Sequence, residues 1–381
     1  VLEPLDEALN LRPRSPWLLP LSRRALMRLG LHERALELCQ REVELGGDNA
    51  CRVAVLQEAA ALVRHREGDT GGALALLEQA LAVLPGDISS LWGAIALRLA
   101  AGRHEPAAEA LEQLSVALTA PRERALYLYM AATLREARLD QPELAESDYR
   151  RAVEADRQSL AAASGLCALY ERRDMWPQLC GCLEHLAELA PTERMEARLL
   201  YQAGSLHLDR TGDLEAAARD LGRAVQVVPG EPASLQRLAY VHEARGQLQE
   251  LVLTLRDLIE LTLDAGRRAA LLSHIGWLQQ SRLGQLDAAI RSYREALAAT
   301  PSYLPAIQSL GTLYRQQGDF DSLLEIYAPE VEGTLPAQAR AMRCVEIGQI
   351  LDSELDRPRD ACDSYRRALE LDPSLKLATW G

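Results

Sequence analysis

The chain has 381 residues, of which 48% are hydrophobic, and a formal net charge of −13. That apolar content is ample for an extensive core and excludes a disordered chain, and the acidic balance would repel a nucleic acid overall. Aromatics are 4%, with a single Phe, and the apolar residues are mostly Leu and Ala, so an all-α protein is expected.

Acidic residues and arginines interleave along the whole chain rather than gathering in a tail. Lys376 is the only lysine among 42 basic residues, a bias that fits a GC-rich genome and says little about chemistry. Cys39, Cys51, Cys167, Cys180, Cys182, Cys344 and Cys362 follow no repeating frame, which suits packed thiols in a reducing cytoplasm better than a disulfide framework. There is no run of 18 apolar residues, so no membrane-spanning helix is expected.

The first element is a lone helix around Leu2 to Leu11, in residues 1–13, whose Ala8 and Pro13 match the second helix of a repeat lacking its first. From there one interval governs the chain. Ala8, Ala80, Ala152, Ala224, Ala296 and Ala368 lie 72 residues apart, as do Pro13, Pro85, Arg157, Pro229, Pro301 and Pro373. Gly68, Asp140, Gly212, Gly284 and Asp356 keep the same spacing, and so do Gly30, Gly102, Asp174, Gly246 and Gly318. Each unit divides into two helical hairpins of about 35 and about 37 residues, giving about ten complete pairs.

Midway, Cys180-Gly-Cys182 with His185 has the composition of a metal site, but residues two apart on a helix point roughly 200° away from each other. Packed thiols are expected, with no metal and no cofactor. His32, His65, His104, His185, His207, His242 and His274 fall in different repeats without a catalytic pairing, and no glycine-rich phosphate loop follows a strand, so no enzyme activity is expected.

Further on, Ala289, Tyr293, Ala296 and Leu297 occupy one helical face that closes at Pro301. Ile307, Leu310, Gly311 and Tyr314 form the next stripe, broken by Gly318-Asp319 before Leu323, Leu324 and Tyr327 begin another. Alternate repeats carry one extra residue before the turn: eight steps separate Gly276 from Gly284, against seven from Gly311 to Gly318. The clean period is therefore the pair. At the far end "SLKLATW", in residues 374–381, starts another first helix and stops; neither end carries a polar cap, so the native protein is expected to continue.

The stripes at Ile307, Leu310, Gly311 and Tyr314 and at Ala289, Tyr293, Ala296 and Pro301 resemble the tetratricopeptide repeat (TPR) pattern across essentially the whole chain. In departures from it, an aliphatic residue usually replaces the first-helix aromatic, and Leu179, Leu251 and Leu323 stand where the family prefers Ala. The long–short pairing more loosely resembles large repeat proteins of GC-rich bacteria.

The resemblance implies a single right-handed α-solenoid over residues 1–381, with first helices lining a concave groove suited to a peptide or helix. Carried over residue by residue, the groove positions are Gln57, Trp92, Tyr129, Ser164, Tyr201, Gln236, Ser273 and Gln308, then Tyr240, Trp277 and Thr312, with Arg315 one turn later. Trp92, Tyr129 and Tyr201 have packing against the adjacent repeat as their alternative. The Lys and Asn of the family's carboxylate clamp are missing, which disfavours chaperone tails; Arg64, Arg237 and Arg315 suit an acidic ligand or a nearby glutamate. The expected function is a protein-interaction scaffold. A regulatory module of a larger signalling or protease enzyme and a periplasmic scaffold of polysaccharide export are the alternatives.

Overall fold

The computed structural model describes residues 2–67, 69–333 and 336–375. Val1, Gly68 and residues 376–381, which hold most of the expected truncated last helix, lie outside them. Among the described residues there are 21 α-helices and no strand, and no helix is long and apolar enough to cross a membrane.

The chain forms two compact units, Val1–Ala190 and Pro191–Gly381. In the first, the helix Leu2–Leu11 precedes five pairs: Leu18–Arg28 with His32–Leu45, Asn49–Glu67 with Thr70–Val83, Ile88–Ala100 with His104–Ala117, Pro121–Leu134 with Pro142–Ala155, and Leu160–Arg172 with Trp176–Glu188. In the second, Glu193–Leu206 pairs with Leu214–Val227, Pro232–Ala244 with Leu248–Glu260, Ala265–Ser281 with Leu286–Ala299, Leu304–Gln317 with Phe320–Glu332, and Ala337–Ser353 with Pro358–Leu371. Within each unit the substantial packing joins helices one or two places apart in chain order, as in an α-solenoid whose hairpins are stable only against their neighbours.

The stripes read from sequence are mostly buried, with Leu297 and Leu324 partly so. Ala289, Tyr293 and Ala296 are solvent-free, as are Ile307 and Leu310. Leu179, Leu251 and Leu323 are also buried, so the larger residue fills space that an alanine would leave between helices.

Why the period is 72 is visible at the turns. Short hairpins end their first helix with a backbone bond spanning five residues, such as Gln247 N–H to His242 C=O at 2.9 Å and Asp319 N–H to Tyr314 C=O at 3.0 Å. Long hairpins span six, as in Gln285 to Gln279 at 2.8 Å and Arg357 to Leu351 at 2.7 Å. The extra residue widens the last turn into π-helix at Arg135–Leu139 and His207–Thr211. In both kinds the next residue is left-handed: φ is +73° at Gly30 and Gly318, and +51° at Asp140 and Asp356. Glycine adopts that conformation without a Cβ clash and aspartate tolerates it, which explains the Gly/Asp register.

The residue whose carbonyl closes the wider turn also points a side chain inward. Arg135 meets Asp148, His207 Nε2 lies 3.6 Å from Asp220, and the Ser292 hydroxyl donates to Gln279 Oε1 at 2.7 Å. Around the first of these, Arg135 Nη2 donates to Glu112 at 2.8 Å, and Arg151 Nη1 to Glu112 at 2.5 Å and Asp148 at 3.2 Å. The polar pair changes identity among these three hairpins but remains matched, whereas in the last long hairpin the same place is taken by the buried Leu351.

Candidate functional site

Small first-helix residues let hairpins approach, and the outward side chains beside them line grooves. In the second unit three depressions share walls. One, of about 610 Å³, lies between Thr192–Gln202 and Glu231–Ser234, lined by Arg194, Met195, Arg198 and Tyr201. The next, of about 450 Å³, shares Tyr201 and Ala233 with it and adds Asp209, Gln236, Arg237 and Tyr240. The third, of about 720 Å³, shares Gln236 and is walled by Leu258, Leu261, Leu263, Arg267 and Leu271. Together they form a continuous groove across three consecutive first helices.

Its middle is bonded internally. Arg237 Nη1 donates to both Asp209 carboxylate oxygens, at 2.7 and 2.8 Å, and a hydrogen bond with Tyr201 adds to the effect of Asp209 in raising the Arg237 pKa. Arg237 is thus held by the preceding hairpin. Tyr201 is half-buried against Leu238 and Leu221, whereas Gln236 is exposed and Tyr240 is 60% exposed. Trp277, 47% exposed, stacks on His274 at 6.1 Å; it lies two turns beyond Ala270 of the third depression, on the same helical stripe.

The remaining sequence candidates have varied surroundings. Gln57 is spent internally, its amide donating to Asp87 at 2.5 Å and Ser90 at 2.9 Å, the side chains that begin the next first helix. Trp92, 43% exposed, packs its edge on Tyr127 of the neighbouring hairpin at 5.3 Å. Tyr129 is half-buried, tilted on Tyr149 at 5.9 Å. Ser164 is exposed and Ser273 buried. Gln308 and Thr312 are exposed, the Thr312 hydroxyl donating to the Gln308 carbonyl at 2.9 Å. Arg315 donates to the Tyr327 hydroxyl at 3.2 Å and lies 3.9 Å from Glu346. Arg64 lines a smaller depression of about 210 Å³ with Gln57, Ala61 and Gly93.

Cys182 faces Cys167 on the preceding helix, not Cys180. Its thiol donates to the Ala163 carbonyl at 3.3 Å, and the hydrogen bond between the two thiols, with burial second, pushes the Cys167 pKa up. His185 Nε2 is 3.0 Å from the Arg157 carbonyl. Arg194, Arg198, Arg267 and the 97%-exposed Leu263 were not singled out from sequence, yet they form much of the groove wall.

Models of the tetratricopeptide repeat match residues 306–330 and, from a second model of the same repeat, residues 269–303 and 343–375. Among curated proteins none matches the chain. Similar solved structures include YrrB, a TPR protein with an unusual peptide-binding site, at 18% identity, covering 49% of this chain and 91% of that one with a TM-score of 0.29. A tetratricopeptide repeat protein from Parabacteroides merdae matches at 15% identity over 78% of this chain and 98% of its own, TM-score 0.31. Naa15/Naa10 bound to HypK-THB matches at 14% identity over 94% and 58%, TM-score 0.37.

Proposed function

We propose that this chain, a tetratricopeptide-repeat protein, is a non-catalytic scaffold that holds a partner peptide or helix along the first helices of its second unit. The observation that carries this reading is the continuity of the groove: Tyr201, Ala233 and Gln236 each wall two adjoining depressions. A small molecule needs one enclosed cavity, whereas a trough with exposed aromatic rims suits an extended segment. Tyr240 and Trp277 supply large, rigid apolar area at little entropic cost. Gln236 supplies adaptable hydrogen bonds beside them. The same reading places the chain in a reducing cytoplasm, supported by seven cysteines that follow no repeating frame.

The test is selection of peptides from a random display library against the full chain, followed by affinity measurements with Tyr240→Ala and Trp277→Ala. Both side chains are exposed, so the fold is expected to survive. Each substitution should weaken the selected peptides by about tenfold, a loss of about 1.4 kcal/mol, without shifting Tm. Unchanged affinity in both variants, with hydrogen-exchange protection confined to second helices, would refute the groove reading.

A further inference from the structure

The charge of the two helix types is not the same. In the first unit, counting described side chains, the first helices hold nine arginines against three acidic residues, while the second helices hold four arginines against fourteen. In the second unit the corresponding numbers are eight against five and eight against fourteen. A chain of net charge −13 thus places its arginine excess on the helices that line its grooves.

Part of that excess is consumed in bracing hairpins, as when Arg98 bonds Glu78 at 3.1 Å or Arg23 bonds Glu42 at 3.1 Å. The groove arginines are another matter. Arg194 and Arg198 are exposed, one turn apart on one helix, and line the same depression; Arg267 lines the third. No ion pair involves any of the three among the described residues. The groove acids offset them incompletely: Asp209 is held by Arg237, and Asp264 accepts from the Arg267 backbone N–H at 2.7 Å to cap its helix. Glu231 is the remaining groove carboxylate. Between these charges the wall is apolar, through Met195, Leu258, Leu261, Leu263 and Leu271.

We propose that the partner segment is acidic and amphipathic, its carboxylates taken by Arg194, Arg198 and Arg267 and its intervening apolar side chains seated on the Met195 and Leu258–Leu271 wall. Arginine suits this role because its planar fork donates two parallel bonds to one carboxylate. The acidic second helices sharpen the choice by repelling the same peptide elsewhere, so it is steered to the groove. This inference rests on the groove reading above.

The experiment titrates the full chain with four labelled probes, read by fluorescence anisotropy: Glu-Glu-Leu, Lys-Lys-Leu and Ser-Ser-Leu repeat peptides of equal length, and a single-stranded oligonucleotide. The Glu/Leu peptide should bind most tightly, and added salt should weaken it. Combined Arg194→Glu, Arg198→Glu and Arg267→Glu should cost at least about tenfold. Arg291→Glu, an exposed second-helix control, should cost nothing. Equal or tighter binding of the Lys/Leu peptide, an unchanged triple variant, or no binding by the Glu/Leu peptide overturns the proposal. Tighter binding of the oligonucleotide overturns it in favour of a nucleic-acid surface. Ser/Leu binding as tight as Glu/Leu, lost in Tyr240→Ala, removes the acidic preference but leaves the groove standing. Glu/Leu binding indifferent to both the triple variant and Tyr240→Ala removes both.

Discussion

The hairpins Pro121–Ala155 and Ala265–Ala299 occupy equivalent places in the repeat, two periods apart, yet solve the same two packing problems differently. At the widened turn the first buries Arg135 with Asp148, cross-braced by Glu112 and Arg151, where the second uses Gln279 and Ser292. At the helix contact, the Tyr149 ring in the first lies against Gly165 of the next hairpin, where an added Cβ would come within 2.5 Å. In the second the Tyr293 ring lies against Gly276 of its own hairpin, at 2.8 Å. The glycine has changed helices along with the lean of the ring: Ala132 and Gly165 in one region correspond to Gly276 and Ser309 in the other. What these two hairpins share is a matched polar pair and a filled volume, not particular residues.

Breaking the charged pair on one side only should have the largest effect. Arg135→Gln leaves Asp148 buried beside Glu112 with Arg151 as its remaining cation, and should cost about 3 kcal/mol by denaturant titration. Adding Asp148→Ser transplants the neutral solution of the other hairpin and should recover most of that loss. If the double variant is no better than the single one, the two pairs are not interchangeable and the comparison fails.

Next in size is the glycine. Gly165→Ala forces a methyl against the Tyr149 ring and should cost about 2 kcal/mol, in the range for overpacked cores. Combining it with Ala132→Gly recreates the arrangement around Tyr293, so the ring can lean back over its own hairpin and part of the stability returns. A double variant whose loss equals or exceeds that of Gly165→Ala alone would show that the lean is set by something other than the glycine.

Much of this architecture was legible in the sequence, because a hairpin stack is local. The 72-residue interval, the Ala289–Tyr293–Ala296 stripe and the Gly/Asp left-handed register each report a contact or a dihedral within one or two helices. The extra residue of the long hairpins was legible as a spacing, but its form as a π turn was not. Site residues were less accessible, for a physical reason: whether a first-helix side chain faces a groove or a neighbour depends on residues one hairpin away. Gln57 looks like an available amide until Asp87 and Ser90 are brought to it. Arg237 is likewise spent on Asp209, while Arg194 and Arg267 have no such partner. The partition of charge between first and second helices, in contrast, was countable from the start and needed only the hairpin boundaries.

The pH response separates the two hairpins more gently. Burial first, then the hydrogen bond with Glu112, pushes Asp148 up to about 7 from 3.8. Burial opposes ionisation of Glu112 too, but hydrogen bonds with Arg135, Asp148 and Arg151 and the Arg135 charge bring it down to about 2 from 4.5. A raised carboxyl contributes stability that is complete below its unfolded value and lost as pH rises through its folded one. A depressed carboxyl does the reverse, losing its contribution as pH falls through its own folded value. Between about pH 4.5 and about pH 7 the Glu112 contribution is constant while that of Asp148 is lost, so this cluster should lower stability by on the order of 1 kcal/mol over that window, on top of the same-signed loss from Glu42, which burial also raises. Denaturant titrations at both ends should show the slope in the parent chain and a flatter one in Arg135→Gln/Asp148→Ser, since Gln279 and Ser292 show that a neutral pair can hold this position. A parent slope no steeper than that of the double variant would refute the assignment.

The smallest effect concerns the residue that follows the wide turn. Asp140, with φ +51°, stands where Gly212 and Gly284 stand in later hairpins, at +70° and +67°. An L-residue there carries a Cβ clash that aspartate lessens but does not abolish, whereas glycine carries none and instead costs more unfolded-chain entropy. These terms oppose each other, so Asp140→Gly should stabilise by only about 0.5 kcal/mol, and Gly284→Asp should destabilise by a similar amount. The pair of reciprocal variants, measured by Tm, distinguishes backbone strain from entropy. If strain governs, the two shifts have opposite signs as stated; if the entropy of the free chain governs, both signs invert, and aspartate at this position is then the more stabilising of the two residues.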